Sequence, residues 1–139
     1  MNRAISKIFR IATILFVFSH APVVTISPAQ TTNVWSGLSN SQWSVTQNWS
    51  GLQIPVSSNS LSFGGSYTYV MTNNLSGVVF SNIIFSQSGY SIYGNTVNVG
   101  GDIANAGNNT FYAGVFLTNF AGSTIQTHTI SSTDGSTLN

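Results

Sequence analysis

Residues 61–101 read LSFGGSYTYVMTNNLSGVVFSNIIFSQSGYSIYGNTVNVGG, and this stretch decides the fold. Apolar residues alternate with small polar ones in short runs: Leu61-x-Phe63, Tyr67-x-Tyr69-x-Met71, Ile83-x-Phe85, Tyr90-x-Ile92 and Val97-x-Val99. That is the period of a strand with one buried face. Gly64-Gly65, Asn73-Asn74, Ser88-Gly89, Gly94-Asn95 and Gly100-Gly101 separate the runs, and such residues tolerate positive φ and close tight turns. Outward from this stretch, Gly107-Asn108-Asn109 is another turn and Val115-x-Leu117 another strand. No segment after Ala29 carries a helical period, so the chain is predicted to be all-β. The Leu61-x-Phe63 pair recurs 22 residues later as Ile83-x-Phe85, and Val97-x-Val99, Val115-x-Leu117 and Ile125 continue the series at shorter, irregular intervals. A parallel β-helix (solenoid) takes up about 20 residues per coil, and its stacked like side chains favour Asn, Ser, Thr and apolar residues over charges. A two-sheet β-sandwich explains the same alternation and is the alternative architecture.

Charge narrows the range of partners. All three basic residues of the 139, Arg3, Lys7 and Arg10, lie in the first ten positions. From Gln30 onward the charged groups are Asp102 and Asp134, with His128 switchable near neutral pH. Binding to a nucleic-acid backbone or electrostatic docking on anionic lipid requires Lys and Arg, so both are excluded for that part of the chain. Cysteine is absent, which removes disulfides and thiolate chemistry. Low charge signals disorder only when hydrophobicity is low as well, and 42% of the full 139 residues are hydrophobic.

Upstream, Arg3 to Arg10 is a positive stretch and Ile11 to Phe18 an apolar one, the plan of a secretory signal peptide. Cleavage after Ser27-Pro28-Ala29 would leave Gln30 as the mature N-terminus; the earlier site at Ala21 is hindered by Pro22. The apolar run falls short of the roughly 20 residues of a membrane span. Residues 1–29 are therefore expected to be a signal peptide, 30–60 a Trp-rich N-terminal cap and 61–139 solenoid coils. A secreted or cell-surface location follows, with no stable membrane insertion after cleavage.

Trp35, Trp43, Asn48-Trp49-Ser50-Gly51 and Pro55, followed by Leu61-Ser-Phe63-Gly64-Gly65, Ile83-Ile84-Phe85, Tyr90-Ser-Ile92-Tyr-Gly94 and Val97-Asn-Val99-Gly100-Gly101-Asp102-Ile103, resemble the opening of bacterial proteins that carry autotransporter-associated β-strand repeats. The match covers most of Val34 to Asn105. The resemblance implies a right-handed β-helix in a secreted or surface-displayed passenger, followed by more coils and by a translocation barrel or sorting anchor. Neither follows before Asn139, so a short relative or a truncated passenger is expected. The resemblance brings no catalytic motif.

Trp35, Trp43 and Trp49 admit two uses. They could stack on sugar rings as the platform of a small secreted carbohydrate-binding module, or plug the open end of the first coil; the plug is favoured because large aromatics are mostly buried. Asp102, His128 and Asp134 lie 26 and 6 residues apart, without the clustered ligands of a metal site or a second His or Cys. Gly-x-Ser-x-Gly is absent, and the two Asp are the only carboxyl pair for glycoside hydrolysis. Asn48-Trp49-Ser50, Asn74-Leu75-Ser76 and Asn108-Asn109-Thr110 fit the glycosylation sequon, as chance allows in so Asn-rich a chain. Gly64-Gly65 and Gly100-Gly101 are read as turns rather than phosphate loops. The expectation is a non-catalytic exported protein with a structural or adhesive role and no cofactor or metal. Its expected partners are further β-helix coils, a second copy or a surface polysaccharide. Self-association is expected because the apolar alternation through Val115, Leu117, Phe120 and Ile125 dissolves into Ser131 to Thr137 with no capping helix.

Overall fold

A computed structural model describes residues 30–65, 68–119, 127–132 and 139. The leader, the Tyr67 position, Phe120, Ile125 and Asp134 lie outside the described residues. Among the described residues, eleven short strands and one 3-10 turn make up the regular structure: β1 (Thr32–Trp35), the turn Thr46–Asn48, β2 (Ser60–Phe63), β3 (Val70–Asn73), β4 (Val79–Phe80), β5 (Ile83–Phe85), β6 (Ser91–Gly94), β7 (Val97–Val99), β8 (Ile103–Asn105), β9 (Thr110–Phe111), β10 (Val115–Leu117) and β11 (Ile130–Ser132). The protein is all-β, as its alternation predicted, and no helix among the described residues is long and apolar enough to cross a membrane.

The strands form three sheets with the orders β1-β2-β5-β8-β11, β3-β6-β9 and β4-β7-β10, and every ladder is parallel. From β2 onward the chain visits first, second and third sheet in fixed rotation. The two antiparallel sheets of a sandwich are not this arrangement. Parallel strands need a long connection between partners; here that connection is the pair of strands in the other two sheets. Leu61, Ile83, Ile103 and Ile130 occupy successive register positions, 22, 20 and 27 residues apart.

Apolar side chains stack over apolar ones at several positions of the ladders. In the first sheet Leu61, Ile83 and Ile103 form one inward column, and Trp35, Phe63 and Phe85 form another. The Phe63 and Phe85 rings stack with centroids 5.1 Å apart. Met71 with Ile92 from the second sheet and Phe80 with Val99 from the third close the core. Corner amides stitch neighbouring circuits together: Asn73 Nδ2 donates to the Asn95 carbonyl at 3.0 Å, and Asn95 Nδ2 to that of Leu75 at 3.1 Å. Neutral corner groups do this without stacking like charges.

One expected repeat is corrected. Val97-x-Val99 does not follow Leu61 and Ile83 in their ladder; it pairs with β4 and β10 in the third sheet, and the true successor of Ile83 is Ile103. Asn105 concealed this because it sits where alternation leads one to expect an aromatic. It is tolerated there, 1% exposed, because its Nδ2 donates to Gly107 O at 2.7 Å and its Oδ1 accepts from Asn109 Nδ2 at 2.8 Å. A buried amide with its groups paired avoids the desolvation penalty.

Candidate functional site

Chemistry in this molecule concentrates at the two ends of the sheet stack and on the outer face of the second sheet. At the first end, the segment before β2 supplies a partner to the terminal strand of every sheet. β1 pairs with β2. Residues 41–43 pair with β3 through Thr72 N to Ser41 O at 2.7 Å and Trp43 N to Thr72 O at 3.1 Å. Residues 57–59 pair with β4 and the residue after it, through Ser58 N to Val79 O at 2.9 Å and Ser81 N to Asn59 O at 2.7 Å. Open sheet edges invite pairing with other chains, and here one segment occupies all three.

Trp35, Trp43 and Trp49 fill the interior beneath this segment and are 1%, 0% and 1% exposed. Trp43 stacks on Phe63 at 5.9 Å and meets Phe80 edge to face at 5.7 Å, while Trp49 makes edge contacts with Trp35 at 5.0 Å and with Trp43 at 6.1 Å. Each such pair contributes about 0.5–1.5 kcal/mol beyond the area it buries. The Trp35 and Trp49 indole N–H groups donate to the Thr68 and Trp43 carbonyls, both at 2.8 Å, whereas Trp43 Nε1 is buried without a hydrogen-bond partner. A sugar ring stacks on an exposed indole face, and none of these three presents one.

Asn48 organises the same end. Its side chain is fully buried, accepts from Ser39 N at 2.8 Å and Asn40 N at 3.0 Å, and donates to Asn40 Oδ1 at 2.8 Å and Gln42 O at 2.9 Å. The sequon it heads is therefore closed to a glycosyl donor in the folded chain, whereas Asn74 and Asn108 are exposed. Nothing in the alternation pattern marked Asn48 as a hub.

Of the titratable residues singled out, Asp102 and His128 come to one corner and Asp134 lies outside the described residues. Asp102 Oδ1 accepts from Thr129 N at 2.7 Å, and His128 Nδ1 lies 2.8 Å from the Gly101 carbonyl oxygen, which fixes Nδ1 as the protonated nitrogen. Both side chains thus tie the strand β11 segment to the turn before β8. Among the described residues no three His, Cys, Asp or Glu gather as metal ligands. Gln30, the expected mature N-terminus, is exposed, with Nε2 donating to Ser60 Oγ at 2.8 Å; Ala29 lies outside the described residues.

At the far end the sheets are covered unequally. β11 pairs with β8, and Asn139 pairs with β9 through Asn139 N to Asn109 O at 3.1 Å and Phe111 N to Asn139 O at 2.8 Å. No described residue forms a ladder on the outer edge of β10. Val115 and Leu117 are each 38% exposed, although their register partners Val97 and Val99 are fully buried. A hollow of about 330 Å³ opens here, lined by Ile103, Phe111, Ala113, Val115, Ile130 and Asn139.

One feature escaped the sequence reading altogether. Tyr93 and Tyr112 stack on the outer face of the second sheet, centroids 4.4 Å apart and ring planes within 8°. The available signal was an aromatic placed one residue after an inward apolar residue in two neighbouring strands, Ile92-Tyr93 and Phe111-Tyr112. Compared with known proteins, the chain matches no family model, no curated protein and no solved structure.

Proposed function

We propose that this chain is an exported, non-catalytic β-helix element whose role is structural or adhesive, built to be extended by stacking. The observation that carries this reading is the contrast between β7 and β10: identical inward positions are sealed where another strand lies on them and open where no described strand does. Burial of each circuit therefore depends on the next, and β10 is suited to receive a further parallel strand from another coil or from a second copy. The right hand of the helix rests on the strong preference of parallel crossovers for that sense. Export rests on the leader, and the likeness to autotransporter-associated repeats fits a rod displayed outside the cell. The absence of Lys and Arg after Arg10 and the engagement of Asp102 and His128 in backbone bonds support a non-catalytic reading.

The test is expression of the full precursor in a secreting bacterial host, followed by mass spectrometry and sedimentation of the product. The expected product begins at Gln30, gives β-type circular dichroism and associates as its concentration rises. A cytosolic product retaining residues 1–29, or a monomer that persists at high concentration, would overturn the proposal.

A further inference from the structure

Tyr93 follows Ile92 in β6 and Tyr112 follows Phe111, the last residue of β9. Thr110 N to Tyr90 O at 2.9 Å and Tyr112 N to Ile92 O at 2.7 Å hold the two strands in register. Because inward and outward positions alternate along a strand, both phenols emerge on the outer face, one circuit apart. They are 41% and 63% exposed. The Tyr93 hydroxyl is held above the ordinary tyrosine value, first by desolvation and then by the charge and side-chain hydrogen bond of Tyr112.

We propose that Tyr93 and Tyr112 are an oxidative cross-linking site, at which hydrogen peroxide and a haem peroxidase couple the two rings into a dityrosine that bridges successive circuits. Each phenol loses one electron and its hydroxyl proton. The resulting phenoxyl radicals carry unpaired density on the ring carbons beside the oxygen, and one such carbon of each ring joins the other in a new C–C bond. The hydrogens on those carbons then move to the phenolic oxygens as aromaticity returns. Two electrons and two protons leave in all, and they reduce one hydrogen peroxide to two waters. Near-parallel rings in face contact bring the two radical faces together, and the rings turn about their side-chain bonds as aromaticity returns.

A second tyrosine pair provides the contrast within the same molecule. Tyr69 and Tyr90 have centroids 5.0 Å apart, but their planes are tilted by 39° and Tyr90 is only 1% exposed, so an oxidant does not reach both rings. The chain has no cysteine, and the tyrosine pair supplies a covalent tie between circuits by other chemistry.

The test treats an equimolar mixture of isotopically labelled and unlabelled full-length chain with hydrogen peroxide and a haem peroxidase. The expected result is dityrosine fluorescence on the monomer band, and a digest in which the Tyr93 and Tyr112 peptides are joined with loss of two hydrogens and no mixing of labels. Tyr93→Phe and Tyr112→Phe each abolish that product, while Tyr69→Phe retains it. Phenylalanine preserves the stack, and circular dichroism identifies any variant that has not folded. Linkage through Tyr69 or Tyr90, linkage only between chains, or undiminished monomer fluorescence in folded Tyr93→Phe would overturn the proposal.

Discussion

Replacing Asn48 with alanine should cost this protein about 3 kcal/mol, out of proportion to the size of the side chain. The amide makes four hydrogen bonds between 2.8 and 3.0 Å, and each contributes roughly 0.5–1.5 kcal/mol net. The full sum is an upper bound, because Ser39, Asn40 and Gln42 are not buried and water can take over their freed groups. Urea unfolding followed by tryptophan emission reads the effect directly, since Trp49 is the next residue and its indole is sealed by the same end segment. With a urea slope of about 2 kcal/mol per M, the midpoint should fall by about 1.5 M. A change below about 0.5 kcal/mol, the scale of an ordinary surface substitution, would refute the role of Asn48 as the hub of this end. Asn48→Asp sharpens the test through its sign. The acceptor toward Ser39 and Asn40 survives, but an oxygen now faces Asn40 Oδ1 and the Gln42 carbonyl, so burial and acceptor repulsion hold the new carboxyl above its ordinary value. A folded-state value raised above the unfolded one means that the variant is most stable below the unfolded value and loses stability as pH rises through the folded one. The opposite trend would count against the hydrogen-bond assignment.

Gly94→Ala and Gly51→Ala separate strain from collision: both glycines have positive φ, +97° and +85°, but a Cβ at Gly94 would strike the Asn73 carbonyl whereas Gly51 has open space. Gly51→Ala should cost about 1 kcal/mol and Gly94→Ala clearly more, with equal midpoints in thermal unfolding as the contrary result. Joining Tyr93 to Tyr112 closes a loop of 18 intervening residues. By chain entropy such a loop stabilises by about 3 kcal/mol, so the oxidised monomer should melt higher than the untreated one; an unchanged melting temperature would show that strain in the linked rings cancels the gain. Tryptophan emission should be blue, resist acrylamide quenching and stay unchanged on titration with polysaccharide, because all three indoles are buried; a red, sugar-sensitive emission would restore the binding-platform reading.

Alternation of apolar and polar residues, punctuated by Gly and Asn, was enough to establish an all-β chain and most of its inward residues, because a strand's two faces follow from a period of two. The same reading identified the tryptophans as the large apolar mass before Leu61. Partnership between strands was a different matter. Which strands lie together depends on register spacings of 22, 20 and 27 residues, and a local period of two carries no information about them. Only the tertiary structure therefore placed Ile103 after Ile83, despite the polar Asn105 beside it, and put Val97 and Val115 in a third sheet. It alone distributed residues 32–59 over three sheet edges, gathered four hydrogen bonds on Asn48, and brought Tyr93 and Tyr112 into face contact across one circuit. Each of these rests on backbone register between segments distant in sequence, which is decided when the circuits stack and not before.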